Sequence, residues 1–245
     1  MDFLRSILLS CFLVMLIKCN YCSSDSVSTN LGQDISFVSY QTDKNQSVTI
    51  KIPRGPTQGG GVTYIRWGRS CCPSPARSIY VGYVAGPFYN EWGSAASRLC
   101  LPTEPQYPSN EKIDPAWAVS YLDGAEYETH APGKAIFRKD LQNKNVPCAV
   151  CFAPQKTAKL MIPAKISCPE SWTREYYGYL MTSFRDHVNN QYYECVDVDA
   201  IGIDNTTPNH DGTLFYFTEA RCENHGLPCG PYVNQQALTC AVCTK

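Results

Sequence analysis

No stretch of this sequence carries five or more like charges in a row, and 21 Lys and Arg against 22 Asp and Glu leave a net charge of −1 over 245 residues. A surface that holds nucleic acid or an anionic membrane needs clustered cations, so neither partner is expected. The longest apolar run, Ile7 to Ile17, is interrupted at Ser10 and spans 11 residues, about half the ~20 that a membrane helix requires. After it, no window of twelve residues combines a 3.6-residue apolar period with helix caps. Signatures of catalysis are absent as well. There is no HExxH, GxSxG, GxGxxG or Walker-type loop. The four histidines, His130, His187, His210 and His225, stand in no metal-ligand spacing. Gly59-Gly60-Gly61 has neither the lysine nor the helix of a phosphate loop and reads as a linker. Enzyme chemistry, a cofactor and a catalytic metal are therefore not expected.

Cysteine is what the sequence has in quantity, 14 in all. Arg5 and the short apolar run that Lys18 closes have the form of a secretory signal peptide, whose apolar core is about 7–15 residues long. Its cleavage falls after Cys19 or near Ser24. In an oxidising compartment thiols pair, so the remaining cysteines read as a disulfide framework. Asn45-Gln46-Ser47 and Asn205-Thr206-Thr207 are glycosylation sequons of the same route, with Asn45 and Asn205 as acceptors. The expectation is a secreted glycoprotein of the extracellular space or matrix.

Residues 1–22 are assigned to the signal peptide and 23–58 to a polar lead-in with short strands, including the alternating Val48, Ile50 and Ile52, and a Pro/Gly linker over Pro53–Gly61. Beyond it the chain is rich in tyrosine and β-branched residues, with strand signals at 62–67, 78–84, 119–122, 157–162, 175–181 and 213–219. An all-β fold follows. Five landmarks then recur. Cys72-Pro73 is matched by Cys168-Pro169, and ten residues after each cysteine stands the glycine of Tyr80-Val81-Gly82-Tyr83 or Tyr176-Tyr177-Gly178-Tyr179. Cys100 and Cys195 follow, and Cys148-Ala149-Val150-Cys151 is repeated as Cys240-Ala241-Val242-Cys243. The offsets lie between 92 (240−148) and 96 (168−72) residues. Two tandem pseudo-repeat β units, 59–151 and 152–245, account for this, with Cys222 and Cys229 as an extra local loop in the second. Taken alone, the C-x-x-C motifs admit structural disulfides, a zinc site or a redox dithiol.

The stretch 148–181, in which Cys-Ala-Val-Cys closes one unit and Cys-Pro-x-x-Trp opens the next, resembles the junction inside the C-terminal non-collagenous domain of type IV collagen. The segments 59–73, 98–107, 120–129 and 238–245 are similar to the C-terminal region of invertebrate short-chain, spongin-type collagens, and the resemblance covers 59–245. It implies an all-β pair of units, stapled by disulfides, that assembles extracellular matrix. It further implies the pairs Cys72–Cys151, Cys100–Cys148, Cys168–Cys243 and Cys195–Cys240, with Cys222–Cys229 closing the short loop. Cys71 is extra to that pattern and would pair with Cys22 or across chains. One departure is clear: Gly55-Pro56-Thr57 is an isolated triplet, so this chain has no Gly-X-Y run with which to wind a triple helix.

Two further groups admit more than one reading. Asp197, Asp199, Asp204 and Asp211 could offer hard oxygen ligands to calcium, but without the spacing of an EF-hand they read as a solvated loop. Phe88, Tyr89 and Trp92 with Tyr192 and Tyr193 could form a docking or sugar-stacking platform, or fill a β core. The functional expectation is a secreted matrix assembly module whose partners are itself, as a homo-oligomer, or other matrix proteins. The alternative is a soluble, lectin-like protein that binds glycans or surfaces.

Overall fold

The computed structural model describes the backbone of 35–41 and 47–53 and all atoms of 60–108, 119–129, 136–204, 206, 209–222 and 225–245. Every element in these residues is a strand, so the chain is all-β. Strands β1 (Ile35–Gln41) and β2 (Ser47–Pro53) form an antiparallel hairpin by themselves. Residues 60–245 form one compact unit, to which the hairpin does not belong. Pro53 ends β2 and Gly61 opens the next strand, so the linker expected over Pro53–Gly61 is shorter than its composition suggests.

The compact unit is one ten-stranded sheet, β3 (Gly61–Trp67), β4 (Arg77–Gly86), β5 (Leu99–Pro102), β6 (Asp123–Glu128), β7 (Pro147–Pro154), β8 (Lys159–Pro163), β9 (Thr173–Thr182), β10 (Glu194–Asp197), β11 (Thr213–Phe217) and β12 (Thr239–Thr244). Among the first five, β7 pairs with β3 and β4, and β4 pairs with β5 and β6, all antiparallel. Among the last five, β12 pairs with β8 and β9, and β9 pairs with β10 and β11, again all antiparallel. The two joins between these groups, β10 to β3 and β11 to β6, are both parallel. Together the pairings β3–β7–β4–β6–β11–β9–β10 return to β3 and close a ring.

Register explains two glycines. A Cβ on Gly82 would lie 1.8 Å from the carbonyl oxygen of Leu101, and one on Gly178 would lie 1.7 Å from that of Val196. No side chain fits at either point, so the close approach of β4 to β5 and of β9 to β10 requires glycine. Each of these long strands also skips one residue against its neighbour, Ile79 between Ser78 and Tyr80, and Glu175 between Arg174 and Tyr176, which is the signature of a β-bulge.

Two cores lie on the faces of the sheet. One gathers Trp67, Val84, Tyr127, Phe137, Leu141, Met181, Val196 and Phe215; the other gathers Tyr64, Ala149, Cys151, Ala153, Tyr176, Leu180, Cys195, Cys240 and Val242. The strand expected at 119–122 begins instead at Asp123, because Ala125 and Tyr127 turn inward while Val119, Tyr121 and Leu122 are exposed. Glu126 on the same strand is buried, and its carboxylate accepts the backbone N–H of His210 at 3.0 Å.

Candidate functional site: a closed seam and two open strand edges

The cysteines fix the strands that carry the other residues of the site. The bridges are Cys72–Cys151, Cys100–Cys148, Cys168–Cys243, Cys195–Cys240 and Cys222–Cys229, the pairs that the resemblance implies. A C-x-x-C motif on a strand places its cysteines on opposite faces, since side chains alternate and three is an odd step. Cys148 accordingly lies in the core of Tyr127 and Phe215, and Cys151 in the core of Tyr64 and Tyr176. Each motif therefore staples two different neighbours. Cys71 is disulfide-bonded too, and Cys22 lies outside the described residues, as do Asn45, Asn205 and His130.

The parallel join of β10 to β3 is the centre of a polar seam. The Tyr64 hydroxyl donates to Glu175 Oε2 at 2.8 Å, and Thr244 Oγ1 donates to the other oxygen at 2.6 Å. Burial first, and then the Glu175 charge, push the Tyr64 phenol up, so it stays a donor. Arg66 Nε donates to Asp197 Oδ2 at 2.8 Å in a pair almost shielded from solvent. The Trp67 indole N–H donates to Glu194. Burial raises the Glu194 carboxyl to about 7, while the Arg98 charge and the indole hydrogen bond pull the other way. Tyr176 completes the seam, its hydroxyl 2.9 Å from the carbonyl oxygens of both Ile65 and Cys195.

Arg98 stitches the loops beside the seam. It is buried, donates to the carbonyls of Leu214 at 2.6 Å and Tyr192 at 3.3 Å, and lies 4.0 Å from the centre of the Phe215 ring. Desolvation lowers its guanidinium to about 10, still charged at neutral pH.

The far sides of β5 and β8 present a contrast. Among the described residues β5 pairs only with β4, and β8 only with β12. Large apolar side chains stand exposed along them: Leu99 at 45% and Leu160 at 43%, with Ile79 of the β4 bulge at 54%. An exposed strand edge with apolar side chains is a template for pairing with another chain.

The aromatic group singled out from sequence divides. Phe88 and Tyr89 are half-buried, and Tyr89 packs on His187 with ring centres 4.6 Å apart. Trp92 and Tyr192, in contrast, are 89% and 64% exposed. The acidic group does not converge either. Asp197 is committed to Arg66 and Asp199 pairs with Arg138 at 3.4 Å, and among the described residues no three His, Cys, Asp or Glu side chains form a group that could hold a metal.

Sequence reasoning missed Tyr64, Arg66, Trp67, Glu175 and Glu194. The signal was available: placing Cys72 on Cys168 sets Ile79 against Glu175, and placing Cys100 on Cys195 sets Leu99 against Glu194, apolar facing charged at matched positions. No protein-family model and no curated protein matches the chain.

Proposed function

We propose that this chain is a secreted, disulfide-stapled module of the extracellular matrix that assembles with copies of itself. In this reading residues 59–151 and 152–245 are two copies of one β unit, like those of the non-collagenous domains it resembles. The identical lists of pairings within β3–β7 and within β8–β12, the matched bulges and the matched close-contact glycines support it. The observation that carries the functional reading is an unfilled pairing. If β3 corresponds to β8 and β5 to β10, the join of β10 to β3 has a counterpart, β5 to β8, which this chain does not make. Among the described residues both edges stay open with apolar side chains beside them, so β5 of one copy would accept β8 of the next. Such a contact is head-to-tail and builds rings or filaments.

The test is sedimentation and light scattering of the purified secreted chain over a concentration series. Assemblies larger than one chain are expected, and a monomer up to the solubility limit would overturn the reading. Exposed Trp92 and Tyr192 favour the alternative, a monomeric glycan- or surface-binding protein, which the same preparation would reveal by retention on a glycan array.

A further inference from the structure

The seam inside the chain and the two open edges differ in a systematic way. Matching the registers of β7 and β12 aligns Tyr64 with Leu160, Arg66 with Ile162 and Trp67 with Pro163. Matching β4 with β9 aligns Glu175 with Ile79, and matching β5 with β10 aligns Glu194 with Leu99 and Asp197 with Pro102. The seam thus holds three polar pairs, Tyr64 with Glu175, Arg66 with Asp197 and Trp67 with Glu194. At the aligned positions the open edges offer Leu160 with Ile79, Ile162 with Pro102 and Pro163 with Leu99. Every polar pair inside has an apolar pair outside.

We infer that this exchange of polar for apolar makes the two contacts mutually exclusive: a β3 edge accepts only a β10 edge, and a β8 edge accepts only a β5 edge of a second copy of this chain. The inference rests on the assembly reading for its outer half, and on observed contacts for its inner half. If β3 met a β5 edge, the Tyr64 hydroxyl, the Trp67 indole N–H and the Arg66 guanidinium would be buried against Ile79, Leu99 and Pro102. If β8 met a β10 edge, the carboxylates of Glu175, Glu194 and Asp197 would be buried against leucine, proline and isoleucine. Groups left without a partner in this way cost about 1–3 kcal/mol each, and charged ones more. First and second units must then alternate around any assembly, with no two like units adjacent. Specificity here comes from penalties on the wrong contact as much as from the right one.

Two full-length variants test it. Ile79→Glu with Leu99→Glu gives the outer β4–β5 edge carboxylates, and Leu160→Tyr with Pro163→Trp gives the β8 edge donors. Leu99, Leu160 and Ile79 are exposed and the carbonyl-bearing backbone is unchanged, so both variants keep the fold. Each alone is expected to self-associate at least ~30-fold more weakly than the natural chain, the size of two unsatisfied groups. An equimolar mixture is expected to regain the natural assembly, because each altered edge meets its new complement and each natural edge its old one. Unchanged association of the carboxylate variant alone, or a mixture that stays dissociated, would overturn the inference while leaving assembly itself standing. If the natural chain is monomeric, the assembly reading falls, and the inner half is decided by a double-mutant cycle. Tyr64→Leu and Glu175→Ile should each lower the denaturation midpoint, and the double variant should recover part of the loss; simple additivity would overturn it.

Discussion

The core around Tyr127 and Phe215 is filled by large side chains, whereas the core around Tyr64 and Tyr176 is filled by alanines and half-cystines. Ala149, Cys151 and Ala153 face the second core from β7, while Val150 on the same strand packs against the first. Large side chains stabilise by the apolar area they remove from water, at about 25 cal/mol per Å². Small ones bury little area, and there the bridges contribute instead by restricting the unfolded chain. Although the Cys100–Cys148 bridge lies in the first core, the second leans more on its bridges and less on buried area, and substitutions should separate the two.

The largest loss is expected from Gly178→Ala, because its methyl would lie 1.7 Å from the Val196 carbonyl oxygen and must part β9 from β10. Yield of the folded chain should collapse, with a stability loss above about 4 kcal/mol, while Gly93→Ala, where a Cβ meets nothing within 4 Å, should be silent. In the large-residue core, Phe215→Ala should cost about 3–5 kcal/mol in chemical denaturation. On the other face, replacing both Cys195 and Cys240 by serine opens a bridge spanning 45 residues, for which chain entropy gives about 4 kcal/mol. The same change at Cys222 and Cys229 releases only seven residues and should cost about 2 kcal/mol. If the alanine-rich face proves insensitive to loss of its bridge, the contrast between the cores is broken.

The smallest effect concerns pH. Glu194 has its carboxyl raised in the folded chain to about 7 from an ordinary 4.5. The folded state then binds the proton more tightly than the unfolded one, so this group's contribution is most favourable below about pH 4.5 and is lost as pH rises through about 7. Glu194→Gln should flatten that decline. A denaturation midpoint that keeps its full slope across this range in the variant would assign the effect elsewhere.

Much of the β framework was legible because its punctuation is chemical. The strands expected near 62–67, 78–84, 157–162, 175–181 and 213–219 overlap β3, β4, β8, β9 and β11, where β-branched and aromatic residues cluster. Strands β5, β7, β10 and β12 went unread as strands, although each carries a cysteine already used as a landmark. Strands β5 and β10 have only four residues each, and in β7 and β12 a buried Ala-Val between cysteines has no polar face to alternate with. β6 was misplaced because Asp-Gly-Ala-Glu-Tyr-Glu buries a glutamate, held by a backbone N–H from a residue 84 positions away. The polar seam depends on equally distant partners: Tyr64 and Glu175 are 111 residues apart, so neither reveals the other locally.

One consequence follows from β7 and β12 being the strands on which the bridges converge. Each closes after its partners in chain order, so Cys72 and Cys100 wait for residues 148–151, and Cys168 and Cys195 wait for residues 240–243. During synthesis the earlier thiols emerge first and stay unsatisfied until the last strand of their group arrives. A chain stopped anywhere before residue 240 would leave Cys168 and Cys195 reduced or mispaired. The closing strand of each group thus doubles as a mark that the group itself is complete, read by the oxidation of its thiols.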